Sequence, residues 1–455
     1  MLDLALLAFV GLFLALGFKR PFIWVLAYIY VDAVAPQKIG WSLIQLLPLS
    51  LIAFVAAFGG WIFLDGKQGT RFTLRQALIG VLLIYCACTT MTADFPVEAL
   101  AKWDWVWKAL LFAMFMPLAL RTKLRFEATA LIMVLALGTI VINGGVKTVL
   151  GGGGYGTLAL LVRENAGLYE GSILSTAAIS TIPLVLWLAR QGTIFKPDWR
   201  VKVFAAGLIF ACLLIPVGEA ARTGLVCAGF LALLMLRSAK RRFLYAGLGA
   251  LALVLAVPFL PQSFLARMGT ISEHSEDESA STRVAVWMWT LDYVKEHPFG
   301  GGFDAYRGNS FTYPMRRITG APGNEQVTTV MVTDKARAYH SSYFEMLGEQ
   351  GWPGLILWLW LQLLGVWQME RIRWRFKRSE EGTSSWQWGL ATALQQAQLT
   401  YLLGAAFVGI AYQPYIFMLI GLQCGLWSYV KRTASEAPRA RFTRPSWSEP
   451  VATQG

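Results

Sequence analysis

Apolar runs of about 15–25 residues alternate with short polar breaks along the whole chain, the pattern of helices that cross a bilayer. Thirteen runs stand out: 2–17, 21–35, 41–64, 77–91, 105–120, 126–142, 170–189, 203–219, 223–236, 243–259, 352–369, 388–411 and 414–430. The first two are short, and either both span or one sits partly in the interface, so 12 or 13 transmembrane helices are predicted. One break differs from the rest. Residues 260–351 are far longer than an ordinary connection. Helical periodicity runs there from Ser281 to His297, with Val284, Trp287, Met288, Leu291 and Val294 on one face. Pro298 and Gly300–Gly302 stop it. A Gly/Pro-rich stretch with APGN at 321–324 follows, and a second short helix is predicted over Lys335–Gln350. Gly351 ends that helix and Pro353 opens the next span.

Composition agrees with this picture. Of 455 residues, 56% are hydrophobic and only 15% charged, where a soluble domain carries about 25% charged. That excludes a soluble globule, a disordered chain and a small disulfide scaffold. In lipid the backbone must satisfy its own hydrogen bonds. The fold class predicted is therefore an all-α polytopic membrane protein whose long outer loop carries amphipathic helices that roof a cavity. The domains read as an N-terminal bundle (1–200), a region containing the long loop (201–369), C-terminal transmembrane helices (370–430) and a tail (431–455). Cys86, Cys88, Cys212, Cys227 and Cys424 all fall in apolar runs and read as small core residues, with no disulfide or metal site.

Charge sets the orientation. The breaks at 18–20, 65–76, 121–127, 190–202, 237–242 and 370–387, with the tail from 431, hold most of the 40 lysines and arginines and few of the 27 acidic residues. By the positive-inside rule they lie in the cytoplasm, and the long loop lies outside. The net charge of +13 is then a topology signal, not a nucleic-acid footprint. The basic stretch at 371–378 reads as an anchor at the lipid headgroups.

No phosphate-binding glycine loop, HExxH, CxxC or Asp-x-Asp pair is present. The acidic run at Glu273, Glu276, Asp277 and Glu278 reads as solvated loop, with His274 inside it. His340 has two readings: a histidine hydrogen-bonded at the membrane edge, or a general base. On the predicted helix Arg337 would share its face, and a guanidinium there disfavours imidazolium. Arg222 sits between two spans, where a charge is either functional or paired with Glu219. With Arg163 and Arg283 these arginines put several fork-shaped cations on the outer side, suited to a phosphate or diphosphate group.

His340-Ser341, nine residues, then Gly351-x-x-Gly354 resembles the His-[Asn/Ser/Gln]-x9-Gly-x-x-Gly signature of bacterial O-antigen ligases and related O-oligosaccharyltransferases. Arg222 before Thr-Gly-Leu, Ser281-Thr282-Arg283, Trp287 and HPFGGGFDAY at 297–306 agree with it. The family usually has serine near the arginine of the 222 segment, where this chain has Ala220 and Ala221. The resemblance is carried by residues 200–365. It implies an enzyme of the inner membrane that transfers a glycan, with inversion and without a metal or other cofactor. The glycan moves from undecaprenyl diphosphate to a hydroxyl on the periplasmic side. It also implies that His340 is the base and that Arg163, Arg222, Arg283 and Arg337 hold the donor diphosphate. The first expectation is an O-antigen ligase with lipid A–core as acceptor. A protein O-oligosaccharyltransferase and an O-antigen polymerase are the alternatives. A lipid-linked glycan transporter is the rival class, disfavoured because no internal repeat is visible. Expected partners are the lipid-linked donor, the acceptor and membrane lipids, with no nucleic acid.

Overall fold

The computed structural model describes residues 2–40, 42–67, 69–151, 161, 167–237, 241–256, 260, 278–319 and 326–436. Its α-helices are α1 (Leu2–Lys19), α2 (Phe22–Val34), α3 (Pro36–Ile39), α4 (Leu49–Phe63), α5 (Leu74–Met91), α6 (Pro96–Ala119), α7 (Lys123–Gly151), α8 (Gly171–Gln191), α9 (Trp199–Gly218), α10 (Arg222–Arg237), α11 (Arg242–Ala256), α12 (Glu278–Glu296), α13 (Ser342–Lys377), α14 (Trp386–Ala405) and α15 (Pro414–Glu436).

The protein is mostly helical, and each of the thirteen apolar runs carries a helix. Six helices among the described residues are long and apolar enough to cross a membrane: α1, α2 continued through α3, α5, α7, α8 and α9. The others fall outside that group for two reasons. α10 and α11 are only 16 and 15 residues long. α6 and α14 carry polar residues, among them Lys102, Asp104, Lys108, Gln395 and Gln398. All of these but the exposed Asp104 pack inward: Gln398 and Gln423 join a hydrogen-bonded chain that ends on the fully buried Arg75 of α5, whose Nη1 lies 3.0 Å from Gln423 Oε1. Cys86, Cys212, Cys227 and Cys424 are buried as expected, but Cys88 is exposed, because it lies on the opposite side of α5 from the core residues Leu82 and Cys86.

The basic breaks meet at one end of the bundle. Asp65 accepts from Arg121 at 2.9 Å and from Arg125 at 2.7 Å. Arg432 donates to Gly69 O and Arg121 O. Glu127 caps the 193–194 turn, and Gln191 reaches Ser384 O. α5 starts beside this cluster and ends at the other pole, where Asp94 N donates to Gly301 O at 2.9 Å.

The long loop departs from its predicted form. Ser310–Thr319 and Gln326–Lys335 form an antiparallel hairpin, β1 and β2, paired from Ser310↔Lys335 to Thr319↔Gln326. The helix expected from Lys335 begins instead at Ser342. The run Val327–Thr333 is rich in β-branched residues, which favour a strand. α12 forms where predicted, but its buried face is Thr282, Val286, Thr290 and Val294, while Val284 and Met288 are exposed. The acidic run from 273 to 277, with His274, lies outside the described residues.

Candidate active site

α13 is two helices joined at a break. Gly351 has φ 62° and ψ −166°, a region open essentially to glycine alone. The expectation that Gly351 ends one helix and Pro353 opens the next is therefore met. A β-carbon on Gly351 would lie 2.2 Å from Pro298 O. Gly301 N and Gly302 N donate to Gly348 O and Glu349 O, and Trp352 N to Pro298 O. The two glycine motifs, some 50 residues apart, thus pack backbone against backbone. Gly351→Ala should cost about 3 kcal/mol or more from strain and overlap. A lowered unfolding midpoint, absent in the open-sited control Gly207→Ala, would show it; equal midpoints would refute it.

This junction fixes the chain before α13. The Trp287 ring stacks on Phe344 at 4.9 Å, and its Nε1 donates to Tyr339 O at 2.9 Å. Tyr339 is buried over Gly348. Ser342 is buried too, its Oγ donating to Val408 O and accepting from Ile410 N, both at 2.8 Å. With Tyr339, Ser341 and Ser342 all turned inward, His340 adopts a left-handed φ of 47° and its side chain is exposed. Such a backbone costs about 1–2 kcal/mol in a non-glycine residue and persists because its neighbours hold it.

Arg337 and His340 share no helix, contrary to the expected i,i+3 face; both lie in the turn between β2 and α13. Asn309 pins that turn: its Nδ2 donates to Arg337 O at 2.7 Å, and its Oδ1 accepts from Arg337 N at 3.0 Å. The Arg337 guanidinium pairs with Asp334 at 2.9 Å. The surrounding protein desolvates His340, and the charges of Arg283 and then Arg337 add to this, holding its imidazole below the usual histidine range. The structure therefore brings Arg283, Arg337 and His340 together. Arg222 is not among the charges that shift His340. It opens α10, which packs on α8, α9 and α14. No ion pair joins it to Glu219 among the described residues. Glu219 instead sits over Gly171. Arg163 lies outside the described residues.

A second cluster was not foreseen. Lys102 Nζ of α6 lies 2.7 Å from Glu345, 2.8 Å from Glu349 and 3.6 Å from Asp304. Its ammonium also lies 5.2 Å from the centre of the Tyr412 ring. Glu345 Oε2 accepts from Ala411 N, and Glu349 Oε1 from Asp304 N, both at 3.0 Å. Burial pushes Glu349 up against the pull of Lys102. The cluster ties α6, the loop after Phe303 and the 409–411 turn to the first half of α13. A cleft of about 530 Å³ opens beside it. The available signal was the pair Glu345 and Glu349, four apart and next to an apolar span.

Residues 1–193 match a family of unknown function (DUF5935). Residues 205–359 match the O-antigen ligase family. A comparison with curated proteins gives no match. The matched C-terminal segment contains Arg222, Arg283, Arg337, His340 and both glycine motifs. Residues 205–359 of this chain are therefore a domain of the O-antigen ligase family.

Proposed function

We propose that the protein is an O-antigen ligase: an inverting, metal-independent glycosyltransferase that joins an undecaprenyl-diphosphate-linked glycan to a lipid A–core hydroxyl. The observation that carries this reading is His340, placed beside Arg283 and Arg337 and disfavoured from imidazolium by desolvation and then by those two charges, inside the segment that matches the family. In the proposed step the acceptor hydroxyl gives its proton to His340 while its oxygen attacks the anomeric carbon. The bond from that carbon to the phosphate oxygen breaks, and undecaprenyl diphosphate leaves with the electron pair. Arg283 and Arg337 stabilise the charge that develops there. Arg222 and Arg163 are proposed as further donor contacts. Residues 201–369 would be the catalytic region of a multi-pass inner-membrane protein. Its site would be periplasmic and its C-terminus cytoplasmic, a reading supported by the meeting of the basic breaks at the far pole.

Transfer assays with the purified protein in nanodiscs test this. Undecaprenyl-linked glycan is offered with lipid A–core, with an acceptor protein and with a second donor, separately. Product on lipid A–core alone supports the ligase. Product on protein, or chain extension on the second donor, would replace it with the corresponding alternative in the superfamily.

The pH profile gives a separate check. Only neutral imidazole accepts a proton, so activity should fall on the acid side as His340 is protonated, below the usual histidine range of about 6.5. Arg337→Gln removes a repelling cation and leaves Asp334 unneutralised. Both changes favour imidazolium, so the acid limb of kcat should move to higher pH. An unmoved limb in a folded variant would detach that limb from His340.

A further inference from the structure

We propose that the cleft beside Lys102 binds an uncharged sugar ring of the transferred or accepting glycan, beyond the reacting bond. The inference rests on the glycosyl-transfer reading above. The cleft volume of about 530 Å³ lies within the range of small-molecule sites. Its walls offer two kinds of contact. The half-exposed indole of Trp105 and the ring of Tyr306 present flat apolar faces, suited to the C–H face of a pyranose. Gln413 and the carboxylates of Asp304 and Glu345 present acceptors that suit adjacent hydroxyls.

Charge narrows the class. Three lining carboxylates, Glu98, Asp304 and Glu345, face two cations, Lys102 and Arg307, and Glu349 stands buried behind Lys102. Lys102 is already engaged by carboxylates at 2.7 and 2.8 Å, and Arg307 faces Glu98 at 3.6 Å. A phosphate or uronate would enter a site with excess negative charge and find its cations taken. A neutral ring meets no such penalty. Position connects the cleft to the reaction. Tyr306 packs edge-on against Tyr339, at 5.7 Å, and Tyr339 immediately precedes His340. Glu345 lies five residues beyond His340 on α13.

The test is binding, measured apart from transfer. Lipid-linked glycan from producing cells is delipidated with mild acid and separated into neutral and acidic fractions. Dephosphorylated and native core oligosaccharides form the acceptor arm. Each is titrated into the full-length protein in nanodiscs and followed by saturation-transfer NMR. Neutral oligosaccharide should bind, and the Trp105→Ala, Gln413→Ala double variant should weaken it about tenfold or more. Trp105→Phe, which keeps a ring, should restore most of the affinity and reports on folding. Acidic fractions and phosphorylated core should bind at least tenfold more weakly than their neutral counterparts. Whichever arm binds through Trp105 identifies the source, donor or acceptor. Neutral glycan that fails to bind, binds the double variant equally, or is outcompeted by acidic glycan would overturn the proposal. His340→Ala should retain this binding. If no acceptor ever receives glycan while Trp105-dependent binding persists, the reaction assignment fails and the cleft assignment stands.

Discussion

Replacing His340 with alanine should lower kcat for glycan transfer by about 10²–10⁴-fold, the usual contribution of a general base. Binding of the undecaprenyl-linked donor should change little, because the base meets the acceptor hydroxyl and not the diphosphate. The geometry supports a large effect. His340 is exposed between buried neighbours, so removing its side chain vacates no core space. Ala35, Ala220 and Ala336 already adopt the left-handed region in this chain, so alanine at 340 is accommodated and the variant should insert and purify like the parent. Arg283→Ala and Arg337→Ala should differ in kind, weakening donor binding, transition-state stabilisation or both. Lysine should rescue them only in part, since it keeps the charge and loses the fork. Single-turnover measurement with saturating donor separates the two classes. A folded His340→Ala protein with near-parental turnover would end the base assignment.

The largest stability effect is expected at Lys102. Lys102→Met removes the ammonium that faces Glu345, Glu349 and Asp304 and leaves these carboxyl groups without it. Removing one partner from a buried ion pair costs about 3–5 kcal/mol. The first half of α13 should then loosen from α6 and the 409–411 turn. The sign with pH follows from the same charges. Burial already holds Glu349 above the usual carboxylate range against the pull of Lys102, and without the ammonium it would lie higher still. The penalty is therefore full at high pH and fades as pH falls through the raised values. Unfolding midpoints in detergent should thus converge with the parent's as pH falls, and Glu349→Gln should rescue part of the loss at alkaline pH. A variant with the parental midpoint at neutral pH would show that the cluster contributes little.

The helical runs were legible in the chain because lipid leaves a span few options: apolar side chains outward and every backbone bond internal. α12, the break at Gly351 and the start at Pro353 were legible for local reasons, carried by residues within one turn of each boundary. The signature around His340 was legible as a resemblance. Other features depended on partners far along the chain. β1 and β2 pair with each other, and left-handed backbone at Ala336 and His340 keeps the next helix from starting before Ser342. The buried face of α12 followed from its packing on α13, where Trp287 meets Phe344 and Tyr339, so Val284 and Met288 stayed outside. Arg283 reaches the surroundings of His340 across more than 50 residues of sequence. Lys102 finds Glu345 and Glu349 across 243 and 247 residues.

By itself, then, the sequence determined a multi-helix membrane protein with a long loop and a histidine–glycine signature, because hydropathy and backbone preference act within a few residues. Only the tertiary structure decided that His340 stands exposed within reach of the Arg283 and Arg337 charges and that Lys102 closes a carboxylate cluster on α13. Electrostatic and packing energies depend on distance in space, and sequence spacing carries no record of that distance.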